Sequence, residues 1–256
     1  MTADPWAPAT DRGPHSGYAL LTAIGAGVGG IAAAFLLTAL VALLLGGRWN
    51  GFPLAVTAGT LFVTSAIGLA GSGMVALRVR GVSVRSYVPW RVPGLRDLLY
   101  AAGGYVAAVG LVFVAGVVLS VLEIQPETTN QAVQLGIGNP VLLLWLVPLS
   151  LLVIAPGEEF LFRGVVQGRL REAFPARIAI PATAALFALV HYFSLTGGSG
   201  GRLIAIAILF LPSLVFGVAY ERTRNLVVPI LIHGSYNATL VLLLYVTITV
   251  LGEMPA

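Results

Sequence analysis

The stretch VIAPGEEFLFRG, residues 153–164, places two adjacent glutamates and an arginine in one of the most apolar parts of the chain. Over the whole sequence only 9% of the residues are charged and 58% are hydrophobic. An ionisable side chain near the centre of a bilayer costs roughly 2.5–3.5 kcal/mol, so such residues are rare there and mark functional or pairing sites. Glu158, Glu159 and Arg163 therefore indicate a polar site inside a membrane protein.

Long apolar runs extend along almost the whole chain, and a run of about 20 apolar residues is enough to cross a bilayer. We predict an all-α, polytopic transmembrane helical bundle of seven to eight spans. The seven predicted spans are about 17–45, 52–77, 98–121, 141–165, 176–193, 203–220 and 226–251. A break near Gly234 would divide the last span and make eight.

The sequence predicts three parts: a polar N-terminal tail (1–16), three spans with a basic loop (17–140), and a core with the chemistry-bearing residues (141–256). The first apolar run exceeds the 7–15 residues typical of a signal-peptide core, so we expect it to be retained as a span. The sequence contains no cysteine, which excludes disulfides and thiolate metal sites among these residues.

All fourteen basic residues are arginine, and their positions predict the orientation in the membrane. All but Arg48 and Arg202 lie in the tail or near the loops that follow spans two, four and six. The positive-inside rule then places the N-terminus in the cytoplasm. Because membrane orientation accounts for the basic residues, we expect lipid and no nucleic acid as a partner. The arginine, alanine, glycine and leucine bias predicts a bacterial cell membrane.

Helix geometry separates the two glutamates of the opening stretch. Arg163 follows Glu159 by four residues, so the two share a helix face in the order that favours an ion pair. Glu158 points about 100° away, which leaves it as the free carboxylate suited to general-base work. Pro156 predicts a kink, or a new half-helix with proline at its first position.

Two further motifs place polar groups in apolar runs. FALVH ends at His191 in span five, and HGSYN begins at His233 in span seven. Phe187 shares a helix face with His191, and Asn237 shares one with His233, because each pair is four residues apart. Each residue alone is compatible with simple helix packing. Together with Glu158 they supply the components of water activation and oxyanion stabilisation.

The ordered set EEFLFRG, FALVH and HGSYN resembles the EExxxR, FxxxH and HxxxN motifs of the CPBP intramembrane proteases. That family includes the type II CAAX prenyl endopeptidases and bacterial proteins linked to bacteriocin processing and self-immunity. The resemblance covers roughly residues 141–250. It implies that Glu158 activates water and that His191 helps to position that water or a metal. It further implies an oxyanion site at His233 and Asn237, with structural support from Glu159, Arg163 and Phe187.

We therefore expect an intramembrane endopeptidase that cleaves a membrane-associated peptide or protein, prenylated or not, in a cavity open to the cytoplasm. Metal dependence stays open. Glu158, His191 and His233 match the three-ligand set of a catalytic zinc site, yet no HExxH motif is present. The alternative function is a non-catalytic membrane protein, either an immunity or partner-binding scaffold or a transporter, since transporters also place carboxylates mid-membrane.

The predicted spans leave one conflict of depth. Counted from the cytoplasmic ends of their spans at ~1.5 Å per residue, Glu158 and His233 would lie about 10 Å deep and His191 about 20 Å. Bringing the three together requires a tilted span or a conical cavity.

Overall fold

The computed structural model describes residues 16–45, 53–126, 128–250 and 252. Within them, seven helices are long and apolar enough to cross a membrane, which confirms the predicted all-α polytopic bundle. These spans, numbered in chain order, are Ser16–Leu44, Ala58–Val79, Leu95–Val121, Pro140–Arg171, Ala176–Phe193, Ser199–Thr223 and Val227–Thr249. Two short helices, Val84–Tyr87 and Gln131–Gly138, lie in the connections.

Span four stays helical through the opening stretch of the sequence. Two π-helical segments, Ser150–Ile154 and Phe160–Gln167, flank the α-helical Ala155–Glu159. The N–H of Ala155 donates to the carbonyl of Ser150, five residues earlier. The prediction that a new half-helix starts at Pro156 is therefore wrong. A π-helical turn widens the backbone just before the proline, which has no N–H and would clash in a regular α-helix.

Span seven is one continuous helix, so the eight-span alternative is also wrong. Gly234 serves as a contact point instead of a break. A Cβ atom at this position would lie 2.8 Å from Leu151 Cδ2 and 3.0 Å from Leu151 Cα. The glycine thus lets spans four and seven approach closely, as small residues do in membrane helix pairs.

The ends of spans two, four and six lie together with the loop 80–94, and we call this the arginine-rich end. Glu172 accepts hydrogen bonds there from Arg80, Tyr87 and Arg169. Burial raises the pKa of the Tyr87 phenol, so it remains a neutral donor to the carboxylate. A single carboxylate therefore ties the loop to span four.

The loop 80–94 also covers the start of span seven. Arg91 forms an ion pair with the buried Asp97, and its backbone N–H donates to Asn225 Oδ1 at 3.1 Å. The N–H of Leu226 donates to the carbonyl of Pro89 at 2.9 Å. Span seven therefore begins beneath this loop and not at the surface.

At the opposite end, which we call the arginine-poor end, two connections are joined by uncharged polar groups. Asn130 and Leu195 form a single antiparallel bridge. The N–H of Thr196 donates to the carbonyl of Thr129 at 2.9 Å, and Thr128 Oγ1 donates to the carbonyl of Thr196 at 2.7 Å. These contacts hold the segment after span three against the segment that follows span five.

Candidate active site

The four residues predicted to be catalytic meet inside the bundle. Glu158 Oε2 lies 3.9 Å from His191 Nε2 and 3.8 Å from His233 Nε2. Asn237 Nδ2 lies 3.1 Å from His233 Nε2. The side chains of Glu158 and His191 are 15% and 20% exposed, and that of His233 is 4% exposed. Spans four, five and seven thus bring their polar groups to one largely buried place.

The predicted ion pair between Glu159 and Arg163 is present and fully buried, with Arg163 Nη1 3.0 Å from Glu159 Oε1. Arg163 Nη2 also donates to Ser213, to the carbonyl at 3.0 Å and to Oγ at 2.7 Å. The guanidinium therefore connects span four with span six. Hydrogen bonds of this kind are what a buried charge needs to offset its loss of hydration.

Glu159 has a second partner that the sequence did not indicate. Its Oε1 atom also accepts a hydrogen bond from His233 Nδ1, at 2.8 Å. A carboxylate only accepts, so Nδ1 carries the proton and Nε2 of the neutral ring is the acceptor. Nε2 then faces Glu158 and accepts from the Asn237 amide. Glu159 consequently sets both the orientation and the tautomer of His233.

His191 has the same tautomer for a different reason. Its Nδ1 atom lies 2.7 Å from the carbonyl of Phe187, which can only accept. The helix tightens into a 3-10 turn at His191–Phe193, and Nε2 is left as an acceptor on the side of Glu158. The FxxxH spacing thus contributes a backbone carbonyl as well as an aromatic ring.

Aromatic rings enclose the buried charges. Phe187 packs edge-on to His233, and Phe216 stacks on the same imidazole with ring centroids 4.9 Å apart. Both phenylalanines also face the Arg163 guanidinium, at 4.7 and 5.3 Å. Phe216 lies in span six, where the sequence showed no motif, so no signal was available to find it. These contacts favour a cation and limit the motion of His233.

The conflict of depth has a structural explanation. Span four extends to Arg171, beyond its predicted end at residue 165, so Glu158 lies thirteen residues from that end, about 20 Å. His191 lies fifteen residues from the start of span five, which is a similar depth. His233 is only six residues into span seven, but that span begins beneath the loop 80–94.

The zinc hypothesis can be tested against this geometry. Two ligand atoms of a tetrahedral zinc site lie about 3.3 Å apart. The separations of Glu158 Oε2 from the two Nε2 atoms, 3.9 and 3.8 Å, are longer. The lone pair of His233 Nε2 is also directed at the Asn237 amide. Within the described part of the chain, no three histidine, aspartate or glutamate side chains are arranged to hold a metal ion. The donor set in this arrangement does not fit zinc.

Comparison with known proteins identifies the region that holds the site. Residues 140–239 match the family model for type II CAAX prenyl endopeptidases, Rce1-like. No curated protein and no solved structure gives a significant match. The matched region includes all three motifs, and the match agrees with the resemblance to the CPBP proteases. Residues 140–239, which hold the whole candidate site, are therefore similar to the Rce1-like family of type II CAAX prenyl endopeptidases.

Proposed function

We propose that the chain is an intramembrane endopeptidase in which Glu158 activates water to cleave a membrane-associated peptide or protein. Rce1-like proteins form a protease family, which supports peptidase activity. The observation that carries the proposal is the environment of the Glu158 carboxylate. Its Oε2 atom is buried and makes no hydrogen bond within the described residues, while two imidazole nitrogens lie less than 4 Å away. A buried carboxylate oxygen without a hydrogen bond is costly, and its place beside two imidazoles is typical of a functional site.

The spacing between Glu158 and His191 suits one water molecule. A separation of 3.9 Å is too long for a direct hydrogen bond and short enough for a shared water. Both facing atoms are acceptors, because the proton of His191 is committed to the carbonyl of Phe187. A water would therefore donate one O–H to each and direct a lone pair toward the substrate carbonyl. Glu158 takes the proton as the new C–O bond forms.

Asn237 and His233 would stabilise the negative charge that develops on the carbonyl oxygen. One N–H of the Asn237 amide points to His233 Nε2, and the second remains for the oxyanion. His233, which Glu159 orients through Nδ1, holds the Asn237 amide in this position. Collapse of the intermediate breaks the C–N bond, and Glu158 returns its proton to the leaving amine. No step requires a metal ion.

The test compares purified wild type with Glu158→Gln, His191→Ala and the exposed control Glu123→Gln. The substrates are a farnesylated fluorogenic CAAX-type peptide and its unmodified counterpart, which separate prenyl dependence from peptidase activity. Loss of a general base lowers turnover by about 10²–10⁴-fold. We expect that loss for Glu158→Gln, with an unchanged melting temperature, and wild-type turnover for Glu123→Gln.

Equal turnover in all four proteins would overturn the catalytic role of Glu158 and favour a scaffold. Elemental analysis of the same preparations, with and without a chelator, tests the metal-free step. Activity that a chelator abolishes and added zinc restores would contradict it.

A further inference from the structure

The site is closed toward the arginine-rich end. Every residue from 161 to 170 in span four is buried, so the helix is enclosed on all sides below Glu158. Arg163 and Gln167 fill the interior there with no exposed surface, and Gln167 Nε2 donates to the carbonyl of Gly217 at 3.1 Å. The site is therefore not open toward the arginine-rich end.

The loop 80–94 seals the same end a second time. Val88 is buried against span four, and a Cβ atom on Gly164 would lie 3.0 Å from Val88 Cγ1. Tyr87 and Val88 form one hydrophobic cluster with Tyr220 and Leu226. A peptide could not pass between spans four, six and seven at this end without displacing that cluster.

Toward the opposite end the packing around the site is less complete. His191 lies two residues before the end of span five, and the connection that follows is partly or fully exposed at every position from 196 to 200. Span seven shows the same trend, because its buried residues end at Val241. The exposed fractions of Glu158 and His191 therefore face the arginine-poor end or the lipid beside it.

We infer that the substrate approaches Glu158 from the arginine-poor end, and that this end faces the outside of the cell. The second step follows from the excess of arginine at the other end. The substrate class is then a membrane-anchored peptide whose cleaved segment is presented on the extracytoplasmic side. This inference rests on the proposed function for the nature of the substrate, but its geometry does not depend on activity.

Single cysteine variants test the inference directly, because the chain has no cysteine of its own. Ser199→Cys marks the arginine-poor end and Ser86→Cys the loop 80–94, and both serines are exposed. Asn237→Cys places a thiol in the site itself. Each variant is treated with a membrane-impermeant maleimide, in intact cells and in inside-out vesicles.

We expect Ser199→Cys and Asn237→Cys to be labelled in intact cells, and Ser86→Cys to be labelled at least tenfold faster in inside-out vesicles. Labelling of Ser86→Cys in intact cells would overturn the orientation. Faster labelling of Asn237→Cys from the Ser86 side, or none from either side, would overturn the direction of approach. Peptide hydrolysis by wild type in detergent is measured separately, so failure of the proposed function is distinguished from failure of this inference.

Discussion

The arginine-rich and arginine-poor ends of the bundle are built in different ways from the same seven spans. Toward the arginine-rich end the helices are packed tightly, and the buried residues of span six are concentrated in its second half, from Pro212 to Thr223. Charged groups there share partners across loops, as Glu172 does. Toward the arginine-poor end the spans expose more of their surface, and uncharged hydrogen bonds such as those of Thr196 join the connections.

The packed half of the bundle supports the candidate site, and the less densely packed half gives solvent and substrate access to it. The packed half fixes Glu159, Arg163 and His233 by contacts that leave no room for solvent. Glu158 and His191 lie at the boundary, where burial is incomplete and one carboxylate oxygen has no partner among the described residues. A hydrolase needs both properties, because preorganised groups lower the barrier only if water and substrate can reach them.

The largest expected effect of a change on stability lies in the packed half, at Arg163. Arg163→Met leaves the buried Glu159 without its cationic partner, and breaking a buried pair in this way costs about 3–5 kcal/mol. Arg202→Met, at the arginine-poor end, removes an exposed hydrogen bond to Gly197 and should cost less than about 1 kcal/mol. Thermal unfolding in detergent measures both.

The double variant Glu159→Gln/Arg163→Met is the matched control for this comparison. It removes both charges, so it should recover much of the stability that Arg163→Met loses. Similar losses for Arg163→Met and Arg202→Met would show that the two ends do not differ as the burial suggests.

The sequence predicted the bundle well because a helix that crosses a bilayer must be apolar over about 20 residues, and such runs are visible in the sequence. Five of the seven spans were placed within about four residues of the observed ones; span two starts six residues later than predicted, and span four extends six residues further. The ion pair at Glu159 and Arg163, and the contact of His233 with Asn237, were also predictable, since a spacing of four residues is a local property of the helix.

Contacts between distant residues were not predictable in the same way. The hydrogen bond from His233 to Glu159 joins residues far apart in the chain, and helix spacing carries no information about it. Phe216 reaches the site from span six, which Arg163 contacts through Ser213. The two π-helical segments of span four were not predicted either, because no pattern in the sequence marks them.

An intermediate effect is expected where the two halves meet, at Gly157. A Cβ atom there would lie 2.3 Å from the carbonyl oxygen of Ser65 in span two, and neither backbone can yield easily. Gly157→Ala should therefore cost about 3 kcal/mol and reduce turnover sharply, because Glu158 is the next residue. Gly110→Ala, where a Cβ atom meets nothing within 4 Å, is the control and should keep full stability and turnover. Equal behaviour of the two variants would mean that spans two and four are not in this contact.

The smallest effect on stability is expected when one carboxylate at each end of the bundle is replaced. Glu172→Gln weakens the charge-assisted hydrogen bonds from Arg80, Tyr87 and Arg169, and should cost about 1.5 kcal/mol. Glu123→Gln, exposed at the arginine-poor end, should change stability by less than about 0.5 kcal/mol. Both variants should retain wild-type turnover, because neither glutamate contacts the candidate active site. If Glu172→Gln instead lowered turnover at unchanged stability, the arginine-rich end would have to take part in handling the substrate, and the division between support and access would fail.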